Sequence, residues 1–425
     1  MSPDMFTNAA FILYNVGWTM VMPFLRLNHR LGEGFAQRTL RYPVPGKADI
    51  WIQAASVGES YLAWELLRHL TFDRPMRILI TTNTRQGMEI LAKAVEDRCA
   101  TDSNLSVATA YFPFDKPSIM KRAVALIQPW IMVLLESEMW PAHLKALKKA
   151  GSKILVINGR MSAKSLKGHH KWSRLWYTLR PDRIMAISED DAERFGTLFG
   201  PERVSVMPNI KFDMLKENPN SIEHAHRLAG SLLPETKFVV FGSVRREEED
   251  QIQKVITEIF HQHPEIVIGL FPRHLHRQRA WITFLSASRI PWRLRSEITQ
   301  PTPRGSVILW DTFGELTHAY HLATAAFVGG TLAPLMGQNF LEPLISGVLP
   351  VIGPYWKGFH WVGEEIIERG LVRVAHDWKE VANILARDVI KPASRGKIRE
   401  EALSYVKNHQ GGTAIACRLI REYFS

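Results

Sequence analysis

The stretch ADIWIQAASVGES (48–60) has the pattern of a short apolar strand, a turn of small residues and the start of a helix. The same order returns along the first half of the chain in RILITT (77–82), WIMVLLE (130–136), KILVI (153–157) and RIMAIS (183–188). Strands that alternate with helical segments predict a parallel sheet with helices on both faces. The fold class is therefore α/β.

A second series of strands follows the stretch LKENPNSIEHAH (215–226), which interrupts the pattern with proline and polar residues. Its members are KFVVFGS (237–243), EIVIGLF (265–271), SVILW (306–310), ATAAFVGG (323–330), VLPVI (348–352) and LVRV (371–374). We therefore expect two doubly wound domains that face a cleft, with ligands at the carboxyl ends of the strands. The predicted divisions are an N-terminal segment 1–30, a first domain 31–218, a second domain 219–405 and a C-terminal helix 406–425 that could pack back on the first domain.

Composition excludes some classes and favours others. The chain has 425 residues, of which 46% are hydrophobic, so it is neither disordered nor too short to bury a core. Its formal net charge of +11 favours a nucleic acid, an anionic membrane or a phosphorylated substrate as partner. Because no RNP, KH or helix-turn-helix signature occurs, nucleic-acid binding is not supported. Two cysteines far apart in the sequence favour a reducing compartment.

The N-terminus contains 21 uncharged residues, Met5 to Leu25. That is long enough to cross a bilayer, although polar residues and Pro23 also allow a helix that lies in the interface or packs on the protein. The segment is followed by the basic residues Arg26, Arg30, Arg38, Arg41 and Lys47. The positive-inside rule then places the rest of the chain on the cytoplasmic side of the membrane.

Acidic and basic side chains follow the strands of the first domain. Glu59 comes directly after Gly58 at a predicted helix start, where a capping role is the simpler alternative. Glu136 and Glu138 follow the strand WIMVLL, and Lys211 ends the last strand of the domain, where a surface lysine is equally compatible with the spacing. Because the carboxyl ends of parallel strands share one edge, these groups are expected near the same cleft.

The second domain offers a binding loop. In FVGGTLAPLMGQNFLEP (327–343) a buried strand ends in two glycines, and Asn339 opens a predicted helix with Glu342 at capping-box spacing. Backbone N–H groups there could hold a phosphate, Glu342 could accept from ribose hydroxyls or act as a cap, and Arg273 follows another strand. Dinucleotide, P-loop, zinc and Asp-x-Asp motifs do not occur in the sequence. Chemistry that needs a metal bridge to a diphosphate therefore loses support.

The stretch GRMSAKSLKGHHKWSRLWYTLR (159–180) is basic, contains no acid and carries interleaved aromatic residues. Its cations include Lys164, Lys167, Lys171 and Arg174. Cations with interfacial aromatics suit an anionic membrane or lipid phosphates, whereas single-stranded nucleic acid and a merely solvated helix face are the alternatives.

Nine motifs, in order and spacing, carry a family resemblance: AASVGES, LESEMWP, NGRMSAKS, SEDDAERF, NIKFD, PRH, FGEL, FVGGT and QNFLEP. The chain resembles the 3-deoxy-D-manno-octulosonic acid (Kdo) transferases of lipopolysaccharide assembly. The resemblance implies a GT-B glycosyltransferase, associated through its N-terminus with the cytoplasmic side of the inner membrane. It also implies transfer of Kdo from CMP-Kdo to a phosphorylated lipid A precursor, with no metal in the active site and no cofactor.

The resemblance also implies residue roles. Glu59 would be the general base, and Glu136 and Lys211 would stabilise the transition state. The implied CMP site consists of Pro272, Arg273, Phe313, Gly314, Glu315, Asn339, Phe340, Leu341 and Glu342. The sequence departs from the family pattern at Gln53, Gln338, GSVRRE (242–247) and GFHW (358–361), none of which is an implied catalytic residue.

Two other functions stay open at this level. One is a different GT-B sugar-nucleotide enzyme, such as another glycosyltransferase or an epimerase. The other is a catalytically inactive relative that binds anionic lipid at the membrane.

Overall fold

The computed structural model describes residues 3–42, 45–99, 104–215, 225 and 228–424. The chain forms two compact domains, the first of Met1–Leu215 with His409–Ser425 and the second of Lys216–Asn408. The predicted division after residue 218 lies within 216–224, outside the described residues.

Within the described residues, each domain is built on a seven-stranded sheet, and the paired strands run parallel. The first sheet contains β1 (Ile50–Ala54), β2 (Met76–Thr82), β3 (Leu105–Tyr111), β4 (Ile131–Leu135), β5 (Lys153–Gly159), β6 (Arg183–Ala186) and β7 (Val204–Val206). The second contains β8 (Phe238–Val244), β9 (Val267–Pro272), β10 (Trp292–Leu294), β11 (Ser306–Leu309), β12 (Ala325–Val328), β13 (Pro350–Ile352) and β14 (Arg373–Val374). The predicted α/β fold class is confirmed.

The strand orders are β3-β2-β1-β4-β5-β6-β7 and β10-β11-β9-β8-β12-β13-β14. Strand order therefore reverses beside β1 and β4 in the first domain, and beside β8 and β12 in the second. In doubly wound folds, ligands bind at such switch points, outside the carboxyl ends of the strands. Every residue of β1 and β4 is buried, as expected for strands covered on both faces.

Helices connect the strands. The first domain has α1 (Pro3–Leu25), α2 (His29–Gly32), α3 (Phe35–Arg38), α4 (Val57–His69), α5 (Arg85–Cys99), α6 (Pro117–Ile127), α7 (Pro141–Ala150), α8 (Ala163–His170), α9 (Ser173–Thr178), α10 (Glu189–Phe199) and α11 (Ile210–Asp213). The second has α12 (Glu249–Gln262), α13 (Gln278–Ala287), α14 (Leu316–Leu322), α15 (Leu341–Ile345), α16 (Glu365–Glu368), α17 (Trp378–Ile390) and α18 (Arg395–Asn408). The last helix, α19 (Gly412–Glu422), belongs to the first domain.

The N-terminal helix α1 packs on the first domain with one side and exposes apolar residues on another. Phe11, Tyr14, Trp18, Met22 and Leu25 recur at helical spacing and contact the core of the domain. Ile12, Leu13, Val16, Met20, Val21 and Phe24 are exposed. In the part of the chain that the structure describes, no helix has both the length and the hydropathy to cross a membrane.

The C-terminal helix α19 is attached to α11. The Asp213 carboxylate accepts hydrogen bonds from the backbone N–H groups of Gly411, at 2.7 Å, and Thr413, at 2.6 Å, so it caps the start of α19. Ala416, Cys417 and Ile420 are buried in the core of the first domain. The chain thus returns to the first domain beside the segment that carries Lys211.

Candidate active site

Glu59 lies in the first turn of α4, directly beyond the carboxyl end of β1. The Ser56 side chain caps this helix by accepting from the Glu59 N–H at 3.3 Å. The Glu59 carboxylate accepts from the Ala55 N–H at 2.5 Å, and the residue is only 6% exposed. Burial, reinforced by the negative charges of Glu138 and Glu136, raises the pKa of Glu59 to about 8. This carboxyl group can therefore exchange a proton near neutral pH.

Glu136 is the first residue after β4, so it and Glu59 lie on the two sides of the switch point. Its backbone has a φ of 53°, a left-handed conformation that is unfavourable for a residue with a side chain of this size. Such strain persists only where the surrounding structure enforces it, and it is concentrated at functional sites. Glu136 Oε1 accepts from Lys211 Nζ at 2.7 Å in a partly buried ion pair.

The sequence predicts Lys211 at the end of a strand, and this prediction is wrong. Lys211 lies in the short helix α11. The last strand, β7, stops at Val206 because the chain then turns through Pro208 and begins a helix at Ile210. The Asn209 side chain caps this helix by accepting from the Lys211 N–H at 3.0 Å. The buried Asn158 side chain accepts from the Ile210 N–H at 2.9 Å. Sequence reasoning missed Asn158, although its place at the end of a buried strand was a usable signal.

Glu138 completes an acidic cluster with Glu59 and Glu136. Its carboxylate accepts from Trp140 Nε1 at 2.9 Å. Burial, with a contribution from the charge of Glu136, raises the pKa of Glu138. The mutual repulsion of these three carboxyl groups favours retention of a proton in the cluster. The described residues contain no group of three or more His, Cys, Asp or Glu side chains arranged to hold a metal ion.

The second domain brings together Arg273, Asn339 and Glu342. Glu342 accepts from Asn339 Nδ2 at 2.9 Å and from Thr317 Oγ1 at 3.2 Å. Burial raises the pKa of Glu342, and the positive charge of Arg273 acts in the opposite direction. Arg273 is exposed directly after Pro272, the buried last residue of β9. This group offers a cation, an amide and a carboxylate to a polar, anionic ligand.

The helix predicted to open at Asn339 begins two residues later, at Leu341, and has only five residues. A capping box would need the Glu342 carboxylate to accept from the backbone N–H of Asn339. Instead, the carboxylate accepts from the Asn339 side chain, and the Asn339 side chain accepts from the Leu341 N–H at 3.1 Å. The predicted capping box is therefore wrong. The physical reason is that Phe340, fully buried against Trp356 and Phe359, fixes a turn before the helix can start.

The backbone N–H groups after β12 are occupied by the protein itself. The buried Glu248 carboxylate accepts from Gly330 N at 2.5 Å, Thr331 N at 3.2 Å and Leu332 N at 3.2 Å. It also accepts from the Arg245 N–H at 2.9 Å. The expectation that N–H groups of this glycine loop hold a phosphate is therefore wrong for these three residues. Sequence reasoning missed Glu248, which lies in a run of three glutamates.

The remaining residues of the implied CMP site differ in accessibility. Phe313 is 82% exposed, beside Gly314, which adopts a φ of 85°. The Glu315 carboxylate already accepts from Arg295, Trp310 and Thr312 side chains. The side chains of Phe340 and Leu341 are fully buried, so only their backbone could reach a ligand.

The basic patch, defined by Lys164, Lys167, Lys171 and Arg174, lies on α8, on α9 and between them. All four side chains are exposed. Trp172 and Tyr177 are also exposed, whereas Trp176 is buried against Phe199 and His169. The patch therefore presents cations and aromatic rings together.

Two parallel α/β domains in series, with polar groups beyond the strand ends, define the GT-B fold. A solved glycosyltransferase from Rickettsia africae has this fold in common with the chain, with a TM-score of 0.57 and 11% identity over 89% of this chain and 99% of the other. At such low identity the likeness establishes the fold alone.

Sequence relatives identify the family. A model described as 3-deoxy-D-manno-octulosonic-acid transferase (Kdo transferase) matches residues 26–214. The chain is 30% identical over 325 residues to a Kdo transferase of Chlamydia pneumoniae, and the match covers 73% of this chain and 71% of the relative. It is 28% identical over 391 residues to the Kdo transferase of Bordetella pertussis, covering 89% and 88%. The chain belongs to the Kdo transferase family and is a glycosyltransferase.

A longer relative is described as a bifunctional glycosyltransferase/methyltransferase of Fusobacterium nucleatum, with 27% identity over 369 residues. The match covers 84% of this chain but only 55% of that protein.

Proposed function

We propose that the protein transfers Kdo from CMP-Kdo to a phosphorylated, lipid IVA-like precursor of lipid A in lipopolysaccharide core biosynthesis. The observation that carries this proposal is the buried Glu59 carboxyl group beside the Lys211–Glu136 ion pair at the switch point of the first domain. Membership of the Kdo transferase family supports the donor and the sugar.

Glu59 is the general base in this proposal. A sugar hydroxyl is a weak nucleophile, so a positioned carboxylate takes its proton while the oxygen attacks the anomeric carbon of Kdo. One C–O bond forms, and the bond from the anomeric carbon to the phosphate oxygen of CMP breaks. A single displacement inverts the anomeric centre and needs no second nucleophilic carboxylate. With a pKa near 8, Glu59 is well matched to exchange this proton at neutral pH.

CMP leaves as a phosphate monoester, and its growing negative charge requires cations. Lys211 supplies one ammonium group, which Glu136 orients at 2.7 Å. The CMP-Kdo site in the second domain, called the donor group below, consists of Arg273, Asn339 and Glu342. The Glu342 carboxylate accepts from the ribose hydroxyls of CMP. Phe313, which is exposed, contacts the cytosine ring.

We propose that the transfer step needs no divalent metal ion. The sequence contains no Asp-x-Asp motif, and the leaving group is a nucleoside monophosphate and not a diphosphate. Positive charge at the leaving group then comes from side chains of the protein.

The acceptor and the membrane contact the first domain in this proposal. The basic patch binds the phosphate groups of the acceptor or of the leaflet that carries it, since each cation near an anionic surface contributes on the order of 1 kcal/mol. The exposed apolar side of α1 rests in the interface at the cytoplasmic side of the inner membrane.

The direct test uses purified protein, preformed CMP-Kdo and a tetra-acylated lipid A precursor, with release of CMP as the readout. Release that depends on the acceptor and persists in excess EDTA supports the proposal. If EDTA abolishes the release of CMP and Mg²⁺ restores it, only the proposed metal independence is refuted. No release, with lipid binding intact, would favour the inactive lipid-binding alternative.

A further inference from the structure

An apolar groove of about 370 Å³ lies in the first domain between α1, the start of α7 and α9. This volume is in the range of roughly 300–1,000 Å³ that ligand sites occupy. The groove is lined by Phe11, Leu13, Tyr14, Pro141, Trp172, Leu175 and Trp176. None of the roles assigned to the catalytic cluster or the donor group uses these residues.

The walls of the groove are held together by one buried carboxylate. Asp115 accepts from the Tyr14 hydroxyl of α1 at 2.9 Å and from the Ala142 and His143 N–H groups of α7 at 3.0 and 2.7 Å. The polar atom of Tyr14 is thereby bonded to a residue that does not line the groove. The groove is therefore preformed, with a lining of aliphatic and aromatic side chains.

The rim of the groove is accessible and apolar. Leu13 is 73% exposed and Trp172 is 50% exposed, so a ligand has a route in from solvent. The apolar surface continues along α1 through Ile12, Val16 and Met20, which are also exposed. A lining of this kind is suited to hydrocarbon and offers little to a sugar, whose hydroxyl groups would lose their hydrogen bonds to water there.

Positive charge surrounds this apolar lining. Lys171 and Arg174 flank Trp172 in the sequence and are exposed, and the 159–180 stretch has no acidic residue. On the α7 side, Lys145 Nζ lies 4.0 Å from the centre of the Phe11 ring. An apolar groove bordered by cations is complementary to an amphiphile with an anionic head and an apolar tail.

We propose that this groove binds one acyl chain of the phosphorylated lipid acceptor, while the basic patch holds its phosphate. The inference rests on the proposed function for the identity of the lipid, and it adds a specific subsite for hydrocarbon. The acceptor is then selected by its acyl chain as well as by its head group. An acyl chain left in the bilayer would need no such groove.

The test measures binding of soluble lipid in the absence of CMP-Kdo. The probes are glycerol 3-phosphate and phosphatidic acids with butanoyl or hexanoyl chains, each below its micelle concentration, titrated calorimetrically into the whole protein. Affinity is expected to rise by about fourfold for each methylene group that the groove buries.

Two variants and one control locate the binding. Leu13→Ser and Trp172→Ala should weaken binding of the hexanoyl lipid by fivefold or more and leave glycerol 3-phosphate unchanged. Met20→Ser is the matched control, since Met20 is an exposed residue of α1, at 69%, outside the groove lining. Leu13 is exposed on a helix surface, so its variant tests the groove even if the Trp172 variant does not fold.

Affinity independent of chain length would overturn the proposal. So would an equal loss in Leu13→Ser and Met20→Ser, which would indicate adsorption to the α1 surface only. Chain-dependent binding without CMP release in the transfer assay would refute the proposed activity and retain the groove. Transfer to a deacylated acceptor with the same KM as the acylated one would retain the activity and refute the groove.

Discussion

The switch points of the two sheets hold buried glutamates in opposite ways. In the first domain, Glu59 accepts from the Ala55 N–H at 2.5 Å and has two further acids nearby, so its pKa rises to about 8. In the second domain, Glu248 accepts from four backbone N–H groups among the described residues. Burial raises the pKa of Glu248 as well, but its four N–H bonds act in the opposite direction and fix the loop, whereas the acids beside Glu59 raise the pKa of that residue further. In our proposal, the same position in the two sheets therefore serves chemistry in the first domain and loop structure in the second.

The largest expected effect is on turnover in Glu59→Gln. The amide keeps the size of the side chain but cannot accept a proton, so kcat should fall by roughly 10²–10⁴-fold, the usual contribution of a positioned base. Affinity for CMP, measured by calorimetry, should not change. Because folding raises the pKa of Glu59 from its usual value of 4.5 to about 8, the wild type loses stability as pH rises through that interval, and the variant should become more stable relative to it there. Near-normal turnover would transfer the role of base to Glu136 or Glu138.

Removal of the cation at the same switch point should have the next largest effect. Lys211→Met leaves Glu136 without the ammonium group at 2.7 Å, and we expect kcat to fall on the order of 10²-fold, as when one stabilising group is lost from a transition state. The double variant Lys211→Met/Glu136→Gln distinguishes a structural role of the ion pair from a role of the Lys211 ammonium group in the reaction. If it regains both stability and turnover, the ion pair is structural; if it regains stability alone, the ammonium group acts in the reaction.

Substitution of Glu248 at the second switch point should change the free energy of unfolding and not the turnover. Glu248→Gln places an amide N–H₂ against backbone N–H donors, and a loss of about 1–3 kcal/mol in the free energy of unfolding is expected. Denaturant unfolding measures this loss, and turnover at saturating substrates should remain near that of wild type. A variant of unchanged stability would show that Glu248 does not fix the loop after β12.

The strand ends at the two switch points are visible in the sequence, because they are apolar runs followed by small or polar residues. That reasoning found Glu59, Glu136 and Glu138, and it identified β1, β4, β8 and β12 on either side of the two switch points. It did not identify β3, whose sequence LSVATAY has small and polar residues suited to the edge of a sheet. The three-residue strands β7 and β10 are too short to show a period.

What the sequence could not show is which carboxylate turns inward. In the run Glu247, Glu248 and Glu249, the register of the turn after β8 decides that Glu248 and Glu249 are buried while the Glu247 side chain is 50% exposed. It also decides that Glu248 bonds the loop after β12, whereas Glu249 pairs with Arg277. Likewise, no local pattern indicates that Asp115 bonds both Tyr14 of α1, 101 residues before it, and His143 of α7, 28 residues after it. These contacts are set by tertiary packing, which sequence spacing does not encode.

The smallest expected effect is a shift in the pH profile of Glu138→Gln. Glu138→Gln removes a negative charge that raises the pKa of Glu59, and the amide oxygen can still accept from Trp140. The acid limb of kcat/KM should shift toward lower pH by on the order of one unit. Glu89→Gln, an exposed acid on α5, is the control and should leave the limb in place. An unmoved limb in Glu138→Gln would mean that burial and the charge of Glu136 set the pKa of Glu59 without Glu138.

The pH profile of kcat/KM for CMP-Kdo-dependent transfer by the wild-type protein tests the central claim most directly. Because a general base acts only when deprotonated, the rate should rise about tenfold per pH unit and level off near pH 8, where burial places the pKa of Glu59. The residual activity of Glu59→Gln should lack this limb. A wild-type profile that is flat between pH 6 and 9, or a limb that survives in Glu59→Gln, would contradict the assignment of Glu59 as the base.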